Sequence, residues 1–208
     1  MDMDESQIRR RLASDLLHGL ETRGVKLACA ESLTGGLLAD ALVRIPGASA
    51  VFLGSAVTYD IRAKASILGV DRALLEREGA VHPEVARQMA AYTARLYDQP
   101  QYEGHVIGLS TTGVAGPGPD GDKPAGLAYV AVAVPGVMAS VASNRLTSVN
   151  VDRACMVGEG NAALKDMGDG WHAVAYELRL DGSREQVREG VVTHVLRIVT
   201  QLTLPVVE

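Results

Sequence analysis

The sequence has few aromatic residues, two cysteines and no long apolar run. Aromatic side chains make up 4% of the 208 residues, so a core must be built mainly from Ala, Val and Leu. Cys29 and Cys155 lack the CxxC or Cys/His spacing of zinc sites, which argues against a disulfide framework and fits a reducing compartment. No apolar stretch reaches 18 residues and the N-terminus is acidic and polar. We therefore expect a cytoplasmic protein without a signal peptide or a membrane-spanning helix.

Clustered basic charge and metal-binding patterns are also missing. The net charge is −5, and the 20 Lys and Arg residues are dispersed, so we expect no nucleic-acid partner. There is no Walker A or HExxH sequence, and the five histidines form no ligand-spaced pair. We expect neither a metal nor a cofactor.

Short apolar runs alternate with amphipathic patterns through the first two-thirds of the chain. We predict strands at 25–30, 51–59, 105–111, 127–134 and 172–180, and helices at 8–24, 37–43, 62–68, 71–79, 83–97 and 184–202. Residues 137–150 are interpreted as a further strand, and residues 151–170 as a long loop or small excursion. This order favours one domain over residues 1–208, a three-layer α/β/α sandwich on a mixed, partly parallel sheet.

Ser32 lies at the end of the first predicted buried strand, just before a helix. Open α/β sheets place ligands at this edge. The amides of Thr34, Gly35 and Gly36 would point outward at the helix start, where the macrodipole favours an anion such as a phosphate. Alternatively, Ser32 or Thr34 serves only as a helix N-cap.

Tyr59 and Lys64 follow the next predicted strand. A lysine can act as a general base if burial or its neighbours lower its pKa toward neutrality, and Tyr59 could relay a proton beside it. Alternatively, Asp60 and Lys64 form an ordinary surface ion pair, because they are four residues apart on a predicted helix.

Glycines cluster in a loop between two predicted strands, over residues 113–126. Gly116, Gly118 and Gly121 match GxGxxG formally, but prolines interrupt the match and a strand follows, so we interpret it as a false dinucleotide fingerprint. The glycines would let the backbone approach a ligand closely, and Thr112 offers a hydroxyl. A purely structural hairpin loop is the alternative.

Together these segments resemble the CinA C-terminal domain family of nicotinamide-nucleotide amidases. The family pattern A-E-S-x-T-G-G is present at residues 30–36, and T-Y-x-x-x-x-K at 58–64. The loop pattern G-I-A-G-P followed by K-P-x-G appears at 113–117 and 123–126. The likeness covers roughly residues 8–134. In the last predicted helix the likeness is weaker. There Arg184 and Arg188 resemble the two arginines near the end of the family's domain.

The resemblance implies hydrolysis of the carboxamide of nicotinamide mononucleotide by a homodimer that needs no metal. Ser32 would be the nucleophile, Lys64 the base and Tyr59 its assistant. Backbone amides near Ser32 or at Thr112 and Gly113 would stabilise the oxyanion. Residues of the three motifs would hold the substrate: Glu31, Thr34, Gly35, Gly36, Thr112, Gly113, Ala115, Gly116, Pro117, Lys123 and Gly126.

Three departures from the family pattern leave alternatives open. Asp60 and Ile61 replace Ser-Asn, and a carboxylate beside Lys64 would raise its pKa and weaken it as a base. His82 stands where the family often has Ser. Residues 137–170 exceed the usual hairpin and suggest a lid or dimer contact, and the separate N-terminal domain of full-length CinA is expected to be absent. The alternatives are a nucleotide-binding module without catalysis, and an amidase for a related carboxamide.

Overall fold

A seven-stranded mixed sheet forms the centre of the described structure. The structure, a computed structural model, describes residues 4–146, 154–157 and 164–203. The strand order is β2-β1-β3-β4-β7-β5, and β6 also pairs with β7. The strands are β1 (Lys26–Glu31), β2 (Phe52–Val57), β3 (Val106–Gly113), β4 (Leu127–Pro135), β5 (Ala154–Val157), β6 (Lys165–Asp166) and β7 (Trp171–Arg179).

The strand directions bring several carboxyl ends to one edge of the sheet. β2, β1 and β3 are parallel, whereas β4 is antiparallel to both β3 and β7. Because the chain reverses twice between β3 and β7, β7 runs in the same direction as β1. Residues that follow β1, β2, β3 and β7 therefore meet at the edge where open α/β sheets bind ligands.

Helices cover both faces of the sheet. One core cluster joins the sheet to α1, α2, α6 and α7, and the clusters on the opposite face contain α4 and α5. The predicted three-layer α/β/α sandwich is therefore confirmed. The helices are α1 (Glu5–Glu21), α2 (Leu37–Val43), α3 (Ile61–Ala63), α4 (Arg72–Glu78), α5 (Pro83–Tyr97), α6 (Ala139–Leu146) and α7 (Arg184–Thr200).

Small residues let α5 pack closely on the sheet. In β1, Leu27 and Cys29 face the α1/α7 side, whereas Ala28 and Ala30 face the α5 side, the two-residue alternation of a strand. On β3, a Cβ added to Gly108 would collide with the carbonyl oxygen of an α5 residue. An alanine-rich interface of this kind explains how the chain forms a core with so few aromatic side chains.

Local capping signals define several helix starts. The Asp71 carboxylate accepts from the amide of Ala73 at 2.8 Å, which begins α4. Pro83 occupies the first turn of α5, where its missing N–H costs nothing. Ser183 and Gln186 form a reciprocal capping box at the start of α7. None of the helices in the described ranges has the length and apolar character needed to cross a membrane.

Three sequence predictions need correction. The strand predicted from 137 is wrong, because the chain forms a 3-10 turn and then α6, with Ala142 and Leu146 buried four residues apart. The predicted 62–68 helix divides into α3 and a π turn, Lys64–Leu68. Within the predicted 151–170 loop, β5 and β6 add to the sheet. Predictions for 147–153 and 158–163 lie outside the described residues.

Candidate active site

The three predicted motifs meet at the carboxyl edge of the parallel strands. Ser32 follows β1, Thr58 follows β2 and Thr112 lies near the end of β3. A cavity of about 380 Å³ opens there. A larger groove of about 510 Å³ lies between α1, α2 and α7, but neither Ser32 nor Lys64 lines it. The cavity is lined by Ser32, Leu33, Tyr59, Ala80, Val81, Thr112, Gly113, Val114, Ala115, Gly116, Pro117, Gly118, Pro119, Asp120 and Arg184.

Ser32 and Lys64 form a hydrogen-bonded pair beneath this cavity. The Nζ atom of Lys64 donates to Ser32 Oγ at 3.0 Å and to the carbonyl oxygen of Thr58 at 2.6 Å. The Lys64 side chain is fully buried, whereas Ser32 keeps 8% of its surface exposed. Lys64 begins the π turn, a feature often found at functional sites. The pair has the arrangement of a nucleophile beside a general base.

Burial lowers the pKa of Lys64 to about 8, although the nearby Asp60 carboxylate acts in the opposite direction. Asp60 instead pairs with Arg62 at 2.8 Å and accepts from the Arg62 amide as the N-cap of α3. These contacts hold the pKa of Asp60 at about 2. The alternative prediction of a surface ion pair between Asp60 and Lys64 is therefore wrong, because the lysine side chain points inward to Ser32. The predicted raising effect of Asp60 is present, but burial outweighs it.

Glu31 caps α2 from inside the protein. Its fully buried carboxylate accepts from the amides of Gly36, Leu38 and Ala39 at 2.9–3.1 Å. It also accepts from the hydroxyls of Thr34 and Ser55 at 2.7 and 2.9 Å. At the predicted phosphate site, the Gly36 amide donates to this carboxylate and the Gly35 amide to the carbonyl oxygen of Ser32, so two of the three predicted donors are already engaged. Glu31 and Thr34 hold the turn together and do not line the cavity.

The glycine-rich loop contributes only in part to the cavity. Its first residues line the cavity as predicted, but Lys123 and Gly126 do not. Lys123 pairs with Asp122, and a Cβ on Gly126 would collide with the carbonyl oxygen of Leu180. Gly126 is thus required for packing. Strand β4 follows the loop, which is consistent with a false GxGxxG match. Beside the loop, the Thr112 hydroxyl donates to the carbonyl oxygen of Ala80.

Tyr59 and Arg184 form one side of the cavity mouth. Arg184 donates to the Tyr59 hydroxyl at 3.0 Å and to the carbonyl oxygen of Gly116 at 2.6 Å. Tyr59 is 61% exposed. In the part of the chain that the structure describes, its hydroxyl makes no hydrogen bond to Ser32 or Lys64. The assisting role of Tyr59 stays a prediction, and its observed contact places it at the entrance.

Eight cavity-lining residues were not among the predicted catalytic or substrate-binding residues: Leu33, Ala80, Val81, Val114, Gly118, Pro119, Asp120 and Arg184. Arg184 was noted only as part of the resemblance. It stands in the first turn of α7, and β7 delivers that turn to the same sheet edge as Ser32. The signal that could have identified it is the direction of β7, which depends on long-range strand pairing.

Comparison with known proteins shows to which family this α/β protein with its serine–lysine pair belongs. Residues 9–165 match the family model of the CinA C-terminal domain. A CinA-like protein from Frankia casuarinae is 49% identical over 129 residues, covering 59% of this chain and 28% of that protein. A putative competence-damage inducible protein from Caldanaerobacter subterraneus is 48% identical over 117 residues, covering 56% of this chain and 27% of the relative.

Solved structures agree along nearly the whole chain. The competence/damage inducible protein CihA from Agrobacterium tumefaciens superposes with a TM-score of 0.68 at 27% identity, covering 98% of both chains. A CinA superfamily protein from Escherichia coli gives a TM-score of 0.70 at 25% identity, covering 97% of this chain and 94% of that one. The chain belongs to the CinA C-terminal domain family. It spans less than a third of the length of the two curated relatives.

Proposed function

We propose that the protein is an amidohydrolase that converts nicotinamide mononucleotide to nicotinic acid mononucleotide and ammonia. The observation that carries this proposal is the 3.0 Å contact between Ser32 Oγ and the buried Nζ of Lys64. A buried amine with a pKa of about 8 is partly neutral near physiological pH. It can therefore accept the proton of a serine hydroxyl, which an ordinary surface lysine does poorly.

The reaction proceeds through an acyl-enzyme. Neutral Lys64 takes the hydroxyl proton as Ser32 Oγ bonds to the carboxamide carbon, and the carbonyl electron pair moves onto oxygen. Return of that pair breaks the carbon–nitrogen bond, and the Lys64 ammonium supplies the proton with which ammonia leaves. Water then attacks the ester, giving its proton to Lys64. Collapse of this second intermediate releases the carboxylic acid, and Ser32 regains its proton from Lys64.

The cavity suits a small anionic carboxamide. Its volume of about 380 Å³ lies in the range of small-molecule sites. Arg184 lines the cavity and provides a guanidinium group for the phosphate of the nucleotide. Val81 and Val114 belong to an apolar cluster beside the cavity and offer contacts for the pyridine ring. The substrate would thus extend from Ser32 toward Arg184.

The competing interpretation of a non-catalytic binding module depended on Asp60. Its exposed carboxylate is engaged by Arg62, and the Lys64 pKa is lowered despite it. These contacts favour the interpretation of a catalytic protein over that of a binding module that has lost catalysis. An amidase for a related carboxamide remains the second candidate, because an open cavity mouth with one guanidinium also admits other anionic amides.

Ammonia release from nicotinamide mononucleotide by the purified protein tests the proposal. Ser32→Ala should abolish release, while Ser49→Ala, an exposed serine outside the cavity lining, should keep it. Thermal melting of both variants checks that they are folded. Full activity in Ser32→Ala would refute the mechanism. Release from other pyridine carboxamides but not from the nucleotide would favour the second candidate.

A further inference from the structure

Two buried backbone amides directly after Ser32 have no acceptor. The amide of Ser32 donates to Thr111 at 2.9 Å, that of Gly35 to Ser32 at 3.1 Å, and that of Gly36 to the Glu31 carboxylate. Within the described ranges, the amides of Leu33 and Thr34 form no hydrogen bond. Leu33 is 3% exposed and Thr34 fully buried. Buried amides without a partner are rare and cost free energy, so their presence beside a nucleophile calls for an explanation.

Arg188 of α7 holds the carbonyl groups of these same two residues. Its Nε donates to the carbonyl oxygen of Leu33 at 3.0 Å, and its Nη2 to that of Thr34 at 2.8 Å. Its Nη1 pairs with Glu185 at 2.7 Å, which fixes the guanidinium plane. Because a trans peptide is planar, the Thr34 N–H points away from the Leu33 carbonyl and hence away from Arg188.

The turn is also held from the side of the sheet. The Glu31 carboxylate binds the Thr34 hydroxyl and the Gly36 amide, and the Thr34 hydroxyl lies 2.7 Å from that of Thr111. The Leu33–Thr34 peptide is therefore fixed between a buried carboxylate and a guanidinium. By contrast, Thr112 and Gly113 belong to β3 and lie in register with β4.

Of these two residues Leu33 lines the cavity beside Ser32, and we propose that its amide donates to the oxyanion and that Arg188 is a positioning residue that fixes the turn on which this amide lies. This inference rests on the proposed amidohydrolase function. When the Ser32 Oγ–carbon bond forms, the carbonyl electron pair moves onto oxygen, and the Leu33 amide donates to that oxygen. When the pair returns and the leaving group departs, the Leu33 amide is free again. Donors that are fixed before the reaction need no reorganisation as charge develops.

The test compares Arg188→Gln and Arg188→Lys with a matched control on the same helix, Arg197→Gln. Within the described residues, the Arg197 guanidinium makes no hydrogen bond or ion pair, and only its backbone carbonyl accepts from Gln201. Ammonia release is measured with nicotinamide mononucleotide and with its thioamide analogue, whose sulfur accepts hydrogen bonds poorly. Loss of one oxyanion donor lowers kcat by about 10²–10³, so we expect a loss of about 30- to 300-fold for Arg188→Gln, with KM changed less than about threefold. Arg188→Lys should fall between, and Arg197→Gln should match the wild type.

The preference for the amide over the thioamide separates positioning of the oxyanion hole from general disruption. We expect Arg188→Gln to lower this preference, because only the oxygen of the amide substrate accepts well from the aligned Leu33 amide. An unchanged preference, or an unchanged kcat, would overturn the role of Arg188. If Arg188→Gln does not fold, Arg188→Lys carries the same comparison. A wild-type protein that hydrolyses neither substrate would instead refute the proposed function, and the role of Arg188 with it.

Discussion

Replacing Lys64 by methionine should abolish turnover. It should also remove most of the increase in unfolding free energy that the wild-type protein shows between pH 8 and 10.5. The wild-type protein buries an amine whose pKa falls from 10.5 to about 8 on folding. Below pH 8 the amine is charged in both states, so the folded state bears the full cost of burying the charge. Between pH 8 and 10.5 the unfolded chain binds a proton that the folded protein has lost, so stability rises with pH. Methionine fills a similar volume and does not titrate.

The size of the effect follows from the two pKa values. A lowering from 10.5 to about 8 corresponds to about 3 kcal/mol of destabilisation at pH 7. At pH 10 less than about 1 kcal/mol of this cost is left. The difference in unfolding free energy between wild type and Lys64→Met should therefore change by about 2.5 kcal/mol between pH 7 and pH 10. Lost hydrogen bonds to Ser32 and Thr58 shift the difference at every pH but do not create this slope.

Urea denaturation of both proteins at pH 7, 8, 9 and 10 measures the slope. Other groups that titrate in this range are common to both proteins and cancel in the difference. Lys165→Met, which removes a lysine with half of its side chain exposed, is the control and should show no comparable trend. A difference between wild type and Lys64→Met that stays flat from pH 7 to 10 would refute the assignment of Lys64 as a buried amine with a lowered pKa.

Three further predictions address the pH profile, the α5 cap and the glycine loop. The kcat/KM for the nucleotide should rise with pH to a plateau above about pH 8, because Lys64 becomes neutral there. Asp60→Asn keeps the N-cap but removes the charge that raises the Lys64 pKa, so the rise should move to lower pH. An unchanged pH profile in this variant would contradict the influence of Asp60 on Lys64. Burial lowers the pKa of His82, whose neutral ring accepts a hydrogen bond from the Glu84 amide. The unfolding free energy of the wild type should therefore fall as the pH drops below about 6.5, and that of His82→Ser should fall less. Denaturation of both proteins at pH 5 and 7.5 measures this difference. Gly126→Ala should lower the unfolding free energy by on the order of 1–3 kcal/mol without raising KM, and a raised KM at unchanged stability would return Gly126 to the substrate site.

Most of the local structure could be predicted from the sequence because its signals act over a few residues. The apolar spacing of α1, α5 and α7, the Asp71 cap and the Pro83 start depend only on nearby side chains and backbone. The strand predicted from 137 failed because short apolar runs fit either structure. The tertiary contacts of α6 decide the outcome, since Arg145 donates to the carbonyl oxygens of Gln201 and Leu202 beyond α7.

The motif residues were predictable as a set, but their individual roles were not. Glu31 and Thr34 share the motif of Ser32, and Gly126 belongs to the loop motif, yet these residues cap a helix, brace a turn and permit close packing. A helix start with glycines offers free amides in the sequence alone. Only the fold shows that the Gly36 amide donates to the buried Glu31 carboxylate and the Gly35 amide to the carbonyl oxygen of Ser32.

The sequence by itself determined the alternation of strands and helices and the place of Ser32 at a strand end, because hydrophobic periodicity and capping are local. The tertiary structure decided which charges are buried and which groups meet. Lys64 reaches Ser32 across 32 residues, and Arg188 reaches Leu33 across 155. Such contacts depend on strand order and direction, and burial of the Lys64 amine, which lowers its pKa, exists only once the sheet and its helices have assembled.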